Sequence, residues 1–212
     1  MSELVSVAPA IAKRARRQRW NQFAKYFPYL DKMTVLDLGG TLAFWYTAPV
    51  LPRQLTIVNH VPDPLWKHDS PWLAVIVGDA CDPPLPRLQG YDLVFSNSVI
   101  GHLGGHYRRD QFAEIVAYFG ENHWIQTPYR YFPIDSFMAC PGFMSMPIAL
   151  RTQISLHWPI GTRRAQTKQE AVARNLEVEF LSKTEMQYYF PDSTIVTERF
   201  AGLTKSLIAV RN

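Results

Sequence analysis

Long apolar runs are missing from this chain. No stretch of its 212 residues approaches the roughly 18 that a bilayer-spanning helix needs, so no membrane partner is expected. Cysteine is scarce too: Cys81 and Cys140 stand alone, in no metal-binding or redox spacing. The opening "MSELVSVAPAIAKRARRQRW" puts its charge after the mildly apolar part, the reverse of a secretory leader. A disulfide is therefore not expected, a cytoplasmic address is, and no metal site is foreseen. Repeats, low-complexity tracts and a clear linker are also absent.

Excess charge of one sign is small, 22 basic against 18 acidic residues. Much of it lies in Lys13, Arg14, Arg16, Arg17 and Arg19. Such a cluster can mark a nucleic-acid or membrane surface. Here Trp20, Phe23 and Phe27 follow at helical spacing, so it reads as the solvated face of a docked helix. Nucleic acid is not the expected partner. The length and the 47% hydrophobic content suit one domain with a well-covered core.

What the chain does have is a succession of β-branched apolar runs. They are TVLDLG (34–39), LTIVNH (55–60), LAVIVGDA (73–80), YDLVFSN (91–97), HWIQTP (123–128), STIVTERF (193–200) and KSLIAVR (205–211). Runs that are apolar nearly throughout suit strands buried on both faces, as in a parallel sheet. Between them, RRDQFAEIVAYF sets Phe112, Ile115, Val116 and Phe119 on one helical stripe. Ser182 followed three residues on by Glu185 is a helix-opening capping box. The connections after the second and third runs are short and proline-rich, so their crossover helices are expected to be irregular or lost. Only AGLT separates the last two runs, too little for a parallel crossover, so they must form an antiparallel hairpin.

This order, with the motifs VLDLGG, VGDACDPPLP, YDLVFSNSVIGHLG and ERFAGLTKSLIAVR, resembles the class I S-adenosylmethionine-dependent methyltransferases, and within them the small stand-alone "type 11" group. The resemblance implies an α/β, Rossmann-like, seven-stranded and mostly parallel sheet, with a C-terminal antiparallel β-hairpin and helices on both faces. It makes residues 1–212 a single domain, with 1–32 a helical cap and 129–180 an insert or lid between strands five and six.

The family's glycine loop reads acidic-x-Gly-x-Gly-x-Gly. In that frame this chain has Asp37, Gly39, Thr41 and Ala43, with Gly40 beside the one glycine retained. The resemblance implies S-adenosyl-L-methionine as cofactor, with Asp37, Gly39, Gly40, Thr41, Asn97 and Ser98 at its methionine end. Asn59 stands where the family carries a ribose-binding acid. Asp79 and the Ala80 N–H fall at the adenine. His102 is the first candidate general base and His106 the second. Tyr129, Arg130, Tyr131 and Asp135 are candidates on the acceptor side. The bulky Phe44 and Trp45 must either reshape the site or close it.

The implied activity is methyl transfer to a small, partly apolar molecule, most readily at oxygen. Two alternatives are kept: a degenerate, non-catalytic binding or regulatory protein of the same fold, and an RNA or protein methyltransferase. A homodimer is compatible with each. A nicotinamide enzyme is excluded by the glycines that Gly-x-Gly-x-x-Gly needs and this loop lacks, and by Asn59 at the acidic position.

Overall fold

The computed structural model describes residues 17–68, 70–134, 140–158 and 164–212. Lys13, Arg14, Arg16 and Asp135 lie outside the described residues. The seven apolar runs form seven strands: β1 (Thr34–Leu38), β2 (Gln54–Asn59), β3 (Leu73–Val77), β4 (Leu93–Asn97), β5 (His123–Pro128), β6 (Thr194–Phe200) and β7 (Leu203–Arg211). They make one sheet in the order β3-β2-β1-β4-β5-β7-β6. Neighbours from β3 to β5 pair in parallel, while β7 runs antiparallel to both β5 and β6. The hairpin turn is tighter than the four residues AGLT. Phe200 already pairs with Leu203, and Ala201 and Gly202 turn the chain at φ 49° and 82°. Positive φ at both central residues matches the right-handed twist of the flanking strands.

Strand alternation divides the core in two. Leu36, Leu38 and Val94 point to one face. There they meet the stripe of α3 (His106–Phe119), with Phe112, Val116 and Phe119 buried, and Met186 and Tyr189 of α6 (Lys183–Tyr189). Ser182 and Glu185 complete the expected capping box of α6. Val35, Leu55, Ile57, Leu93 and Phe95 point to the other face. That face is covered by Trp20, Phe23 and Phe27, carried by and just beyond a helix (α1) whose described part spans 17–26. Their rings pack directly on the strands, Trp20 and Phe23 on Phe95 at 6.2 and 5.7 Å and Phe23 on Trp124 at 5.2 Å.

No helix is present among the described residues between β2 and β3 or between β3 and β4, as the short proline-rich connections foretold. The crossover from β1 is a single turn, α2 (Leu42–Trp45), capped by Thr41 and held at its start by Asp63, whose Oδ2 accepts from the Leu42 N–H at 2.6 Å. Between β5 and β6 the insert contains α4 (Ile148–His157) and α5 (Lys168–Glu177), joined by Asn175, which hydrogen-bonds Ser155. Cys140 and Phe143 form a small apolar cluster of their own beside this pair.

Candidate active site

The strand order reverses between β1 and β4, and in open α/β sheets ligands bind beyond the carboxyl ends of the strands at such a point. A cleft of about 450 Å³ opens there. It is lined by Gly39 just after β1, Asn59 and His60 at and after the end of β2, Val77 to Ala80 at and after the end of β3, and Val99, His102 and Leu103 after β4, with Arg108 from α3. Of the residues singled out from the sequence, Gly39, Asn59, Asp79, Ala80 and His102 are brought together in this one cleft.

The two glycines of the β1 loop have different jobs. Gly39 sits at φ +82°, and a Cβ there would come within 2.4 Å of Val99. Gly40 is needed for close approach instead: a Cβ on it would lie 1.6 Å from Asp37 Oδ2. Asn59 fastens the loop across the strand end. Its Nδ2 donates to the carbonyls of Gly40 at 2.8 Å and Gly39 at 3.3 Å, and its Oδ1 accepts from the Val61 N–H at 3.2 Å. One lone pair on Oδ1 is left for a ligand hydroxyl.

Asp79 projects from the far lip. Both its oxygens accept from Arg108 Nη2, at 2.7 and 2.6 Å, and Oδ1 also takes the Cys81 N–H at 2.9 Å. Burial pushes the Asp79 carboxyl up, but the Arg108 and Cys81 hydrogen bonds and the Arg108 and His60 charges outweigh it and hold it below the usual range. Asp79 is thus a carboxylate at neutral pH, with an acceptor edge on the cleft.

Of the residues expected at the methionine end, Gly39 lines this cleft, while Asp37, Gly40, Thr41, Asn97 and Ser98 do not. Asp37 is fully buried behind the loop, its Oδ2 accepting from Trp45 Nε1 at 2.6 Å and its Oδ1 buried without a partner. Burial is the main cause that lifts its carboxyl to about 7, partly opposed by the Trp45 hydrogen bond. Thr41 caps α2, its hydroxyl accepting from the Phe44 N–H at 3.4 Å. Asn97 Oδ1 accepts from Arg19 Nη1 at 2.9 Å, and Arg19 also pairs with Glu198 on β6. Ser98 holds a positive φ of 65° and donates to Gln126 Oε1 at 2.8 Å. A non-glycine residue at positive φ is a local strain, found here at the end of the strand beside the switch point.

His106 belongs to a second cleft, of about 500 Å³, with Arg109, Glu179, Glu185, Tyr188 and Tyr189. Its Nδ1 pairs with the Tyr189 hydroxyl at 2.9 Å. Arg130 is committed to structure: it bonds the Phe180 carbonyl at 2.8 Å and forms ion pairs with Glu179 and Glu185. Tyr129 is half-buried, its ring 5.5 Å from that of the exposed Tyr131. Val99, Leu103 and Arg108 line the main cleft without having been foreseen. For Arg108 the available signal was its place in the first turn of the helix after β4.

No family model matches the chain, and no curated protein sequence matches it. Its fold does match solved structures. A Listeria monocytogenes protein assigned as an S-adenosylmethionine-dependent methyltransferase shares 14% identity at a TM-score of 0.57, over 91% of this chain and 97% of that one. The N-methyltransferase NodS from Bradyrhizobium japonicum WM9 shares 12% at 0.53, over 94% and 97%. Magnesium protoporphyrin IX methyltransferase from Synechocystis PCC 6803, solved with bound S-adenosylmethionine, shares 9% at 0.51, over 94% and 81%. The chain therefore has the class I methyltransferase fold.

Proposed function

We propose that this protein is an S-adenosylmethionine-dependent methyltransferase acting on a small, partly apolar molecule at oxygen. The observation that carries the reading is the cleft at the switch point, where Gly39, Asn59, Asp79, Ala80 and His102 converge on one space. The lining of this cleft fits the cofactor. Gly39 presents bare backbone where a side chain would collide with Val99, Asp79 offers a carboxylate edge to an amino group, and Asn59 keeps one acceptor for a ribose hydroxyl. At the methionine end, Asp37 supplies a buried carboxylate with one oxygen unpartnered, a match for an ammonium once reached.

When bound, the cofactor supplies a methyl group already activated by a sulfonium, so the protein's work is alignment and exclusion of water. Val77, Val99 and Leu103 give the cleft part of an apolar wall. To His102, which lines the cleft, we assign the uptake of a hydroxyl proton on a ring nitrogen, since imidazole is matched to neutral pH. Tyr129 and Tyr131, just after β5, are the residues we assign to the acceptor side. The reading puts the protein in the cytoplasm, with a small molecule rather than nucleic acid as its partner.

The test is transfer of a labelled methyl group from S-adenosylmethionine to a panel of hydroxylated aromatic and aliphatic acceptors. His102→Gln is expected to lower the transfer rate by roughly a hundredfold or more, while S-adenosylhomocysteine still binds. Unchanged transfer removes His102 from the chemistry. A second reading, a protein of this fold that binds without transferring, is favoured by one observation: Asp37, Asn97 and Ser98 are all bonded within the protein. Binding with no transfer to any acceptor would support it.

A further inference from the structure

The turn that carries His102 is held from outside the main cleft. The Gly101 carbonyl accepts from the Glu179 N–H at 2.8 Å, where the chain returns from α5 towards α6. The Glu179 side chain then reaches two further elements. Its Oε2 accepts from Arg109 Nη2 of α3 at 2.7 Å, and its Oε1 from Arg130 Nη2, two residues beyond β5, at 3.1 Å. The same returning segment pins the stretch after β5. The Arg130 N–H donates to the Leu181 carbonyl at 3.0 Å, and Arg130 Nε to the Phe180 carbonyl at 2.8 Å. Glu179 is thus a junction of three elements: the His102 turn, α3, and the stretch that bears Tyr129 and Tyr131.

We infer that Glu179 is a positioning residue for the methyl transfer: its carboxylate, shared by Arg109 and Arg130, sets the spacing between His102 and the acceptor-side Tyr129 and Tyr131. The inference rests on the assignment of His102 as the base. It goes beyond that assignment, because Glu179 lies outside the lining of the main cleft and acts through the backbone it holds. Exposed ion pairs contribute little, and the Glu179 side chain is 53% exposed. Arg109 differs: its side chain is only 4% exposed, so its charge needs the Glu179 carboxylate as compensation. A pair that is half buried adds less to stability than apolar packing would, but it fixes a geometry. Gly101 lets the two segments close. A Cβ there would lie 3.3 Å from both the Glu179 carbonyl oxygen and Phe180 Cδ1, tighter than ordinary contact.

Glu179→Gln keeps the shape of the side chain and removes its charge; Glu179→Asp keeps the charge. On an acceptor from the hydroxylated panel, the Gln variant is expected to lower kcat roughly tenfold, the scale of a small misplacement, with KM for S-adenosylmethionine unchanged. The Asp variant should recover most of the loss. In the His102→Gln background, Glu179→Gln should cost nothing further, because a positioning residue acts through the group it positions. An equal fall in kcat in that background, or an unchanged kcat in the single variant, overturns the role. Histidine ring signals in carbon-13 NMR, with His102 assigned by its loss in His102→Gln, test the same point without an acceptor. In Glu179→Gln the His102 signal is expected to move while that of His60, on the β2 side of the cleft, stays. A His102 signal that does not move, or moves only as much as that of His60, overturns the inference. Failure of the wild type to bind S-adenosylhomocysteine overturns the cofactor reading instead, since the NMR comparison is made without ligand.

Discussion

Gly40→Ala is expected to destabilise the protein by roughly 3 kcal/mol, the sum of overpacking a closed site and disturbing a buried hydrogen bond. The cause is local. The new Cβ would fall 1.6 Å from Asp37 Oδ2 and 2.2 Å from Cγ, separations that non-bonded atoms never show. Asp37 cannot swing aside cheaply, because it is fully buried and its Oδ2 is tied to the equally buried Trp45. The loop cannot lift cheaply either, since Asn59 holds the Gly39 and Gly40 carbonyls. Urea denaturation reads the loss as a lower midpoint. Shortening the acid relieves the clash, so in the Asp37→Ala background the same glycine substitution should cost much less, a coupling of about 1–3 kcal/mol. A Gly40→Ala midpoint close to that of the wild type, or no coupling, would show that the carboxylate does not set the loop's need for glycine.

The second large effect is on the pH dependence of stability. Asp37 titrates at about 7 in the folded protein against an ordinary value of 3.8. Between those limits the folded state binds the extra proton, so this group makes stability fall as pH rises from about 4 to 7. Its size is on the order of a few kcal/mol, because each tenfold difference in proton affinity between the folded and unfolded states is worth about 1.36 kcal/mol. Other groups slope the opposite way. Burial is the main cause that lowers His123 to about 4, and Asp79 is held below its usual range, so the unfolded chain binds their protons more tightly. Asp37→Asn isolates the contribution. Urea midpoints of wild type and variant between pH 4.5 and pH 7.5 (roughly spanning the window) should diverge, with the wild type losing stability relative to the variant as pH rises. Parallel curves would mean that Asp37 stays ionised throughout.

Much of this was written plainly in the sequence. The β-branched runs mark all seven strands, and they are plainest in the parallel strands β1, β2 and β4, where burial on both faces leaves few polar residues to blur the pattern. AGLT marks the hairpin, since so short a link cannot cross over. Asp37, Gly39, Asn59, Asp79 and Ala80 fall where the strand ends put them. What a linear reading misses is who occupies whom. Nothing near Asp37 in the sequence says that an indole eight residues on folds back onto it, because α2 is too short for periodicity to show its buried side. Asn59 read as a ribose ligand with a missing charge; in the fold it is first a clamp on the glycine loop. Arg130 stood out in an aromatic stretch, yet its partners Glu179 and Glu185 lie across the insert, beyond any local pattern. The adjacent glycines also gain a reason: one supplies the positive φ, the other gives way to the acid behind it.

The central claim is that the cleft between Gly39 and Asp79 is a cofactor site. Calorimetric titration with S-adenosylhomocysteine tests it most directly, run on the wild type and on Asp79→Ala. The account predicts sub-millimolar binding by the wild type and a loss of roughly tenfold or more in the variant, the worth of a hydrogen bond to a charged group. No binding by the wild type at millimolar ligand, or the same affinity in both proteins, would contradict it.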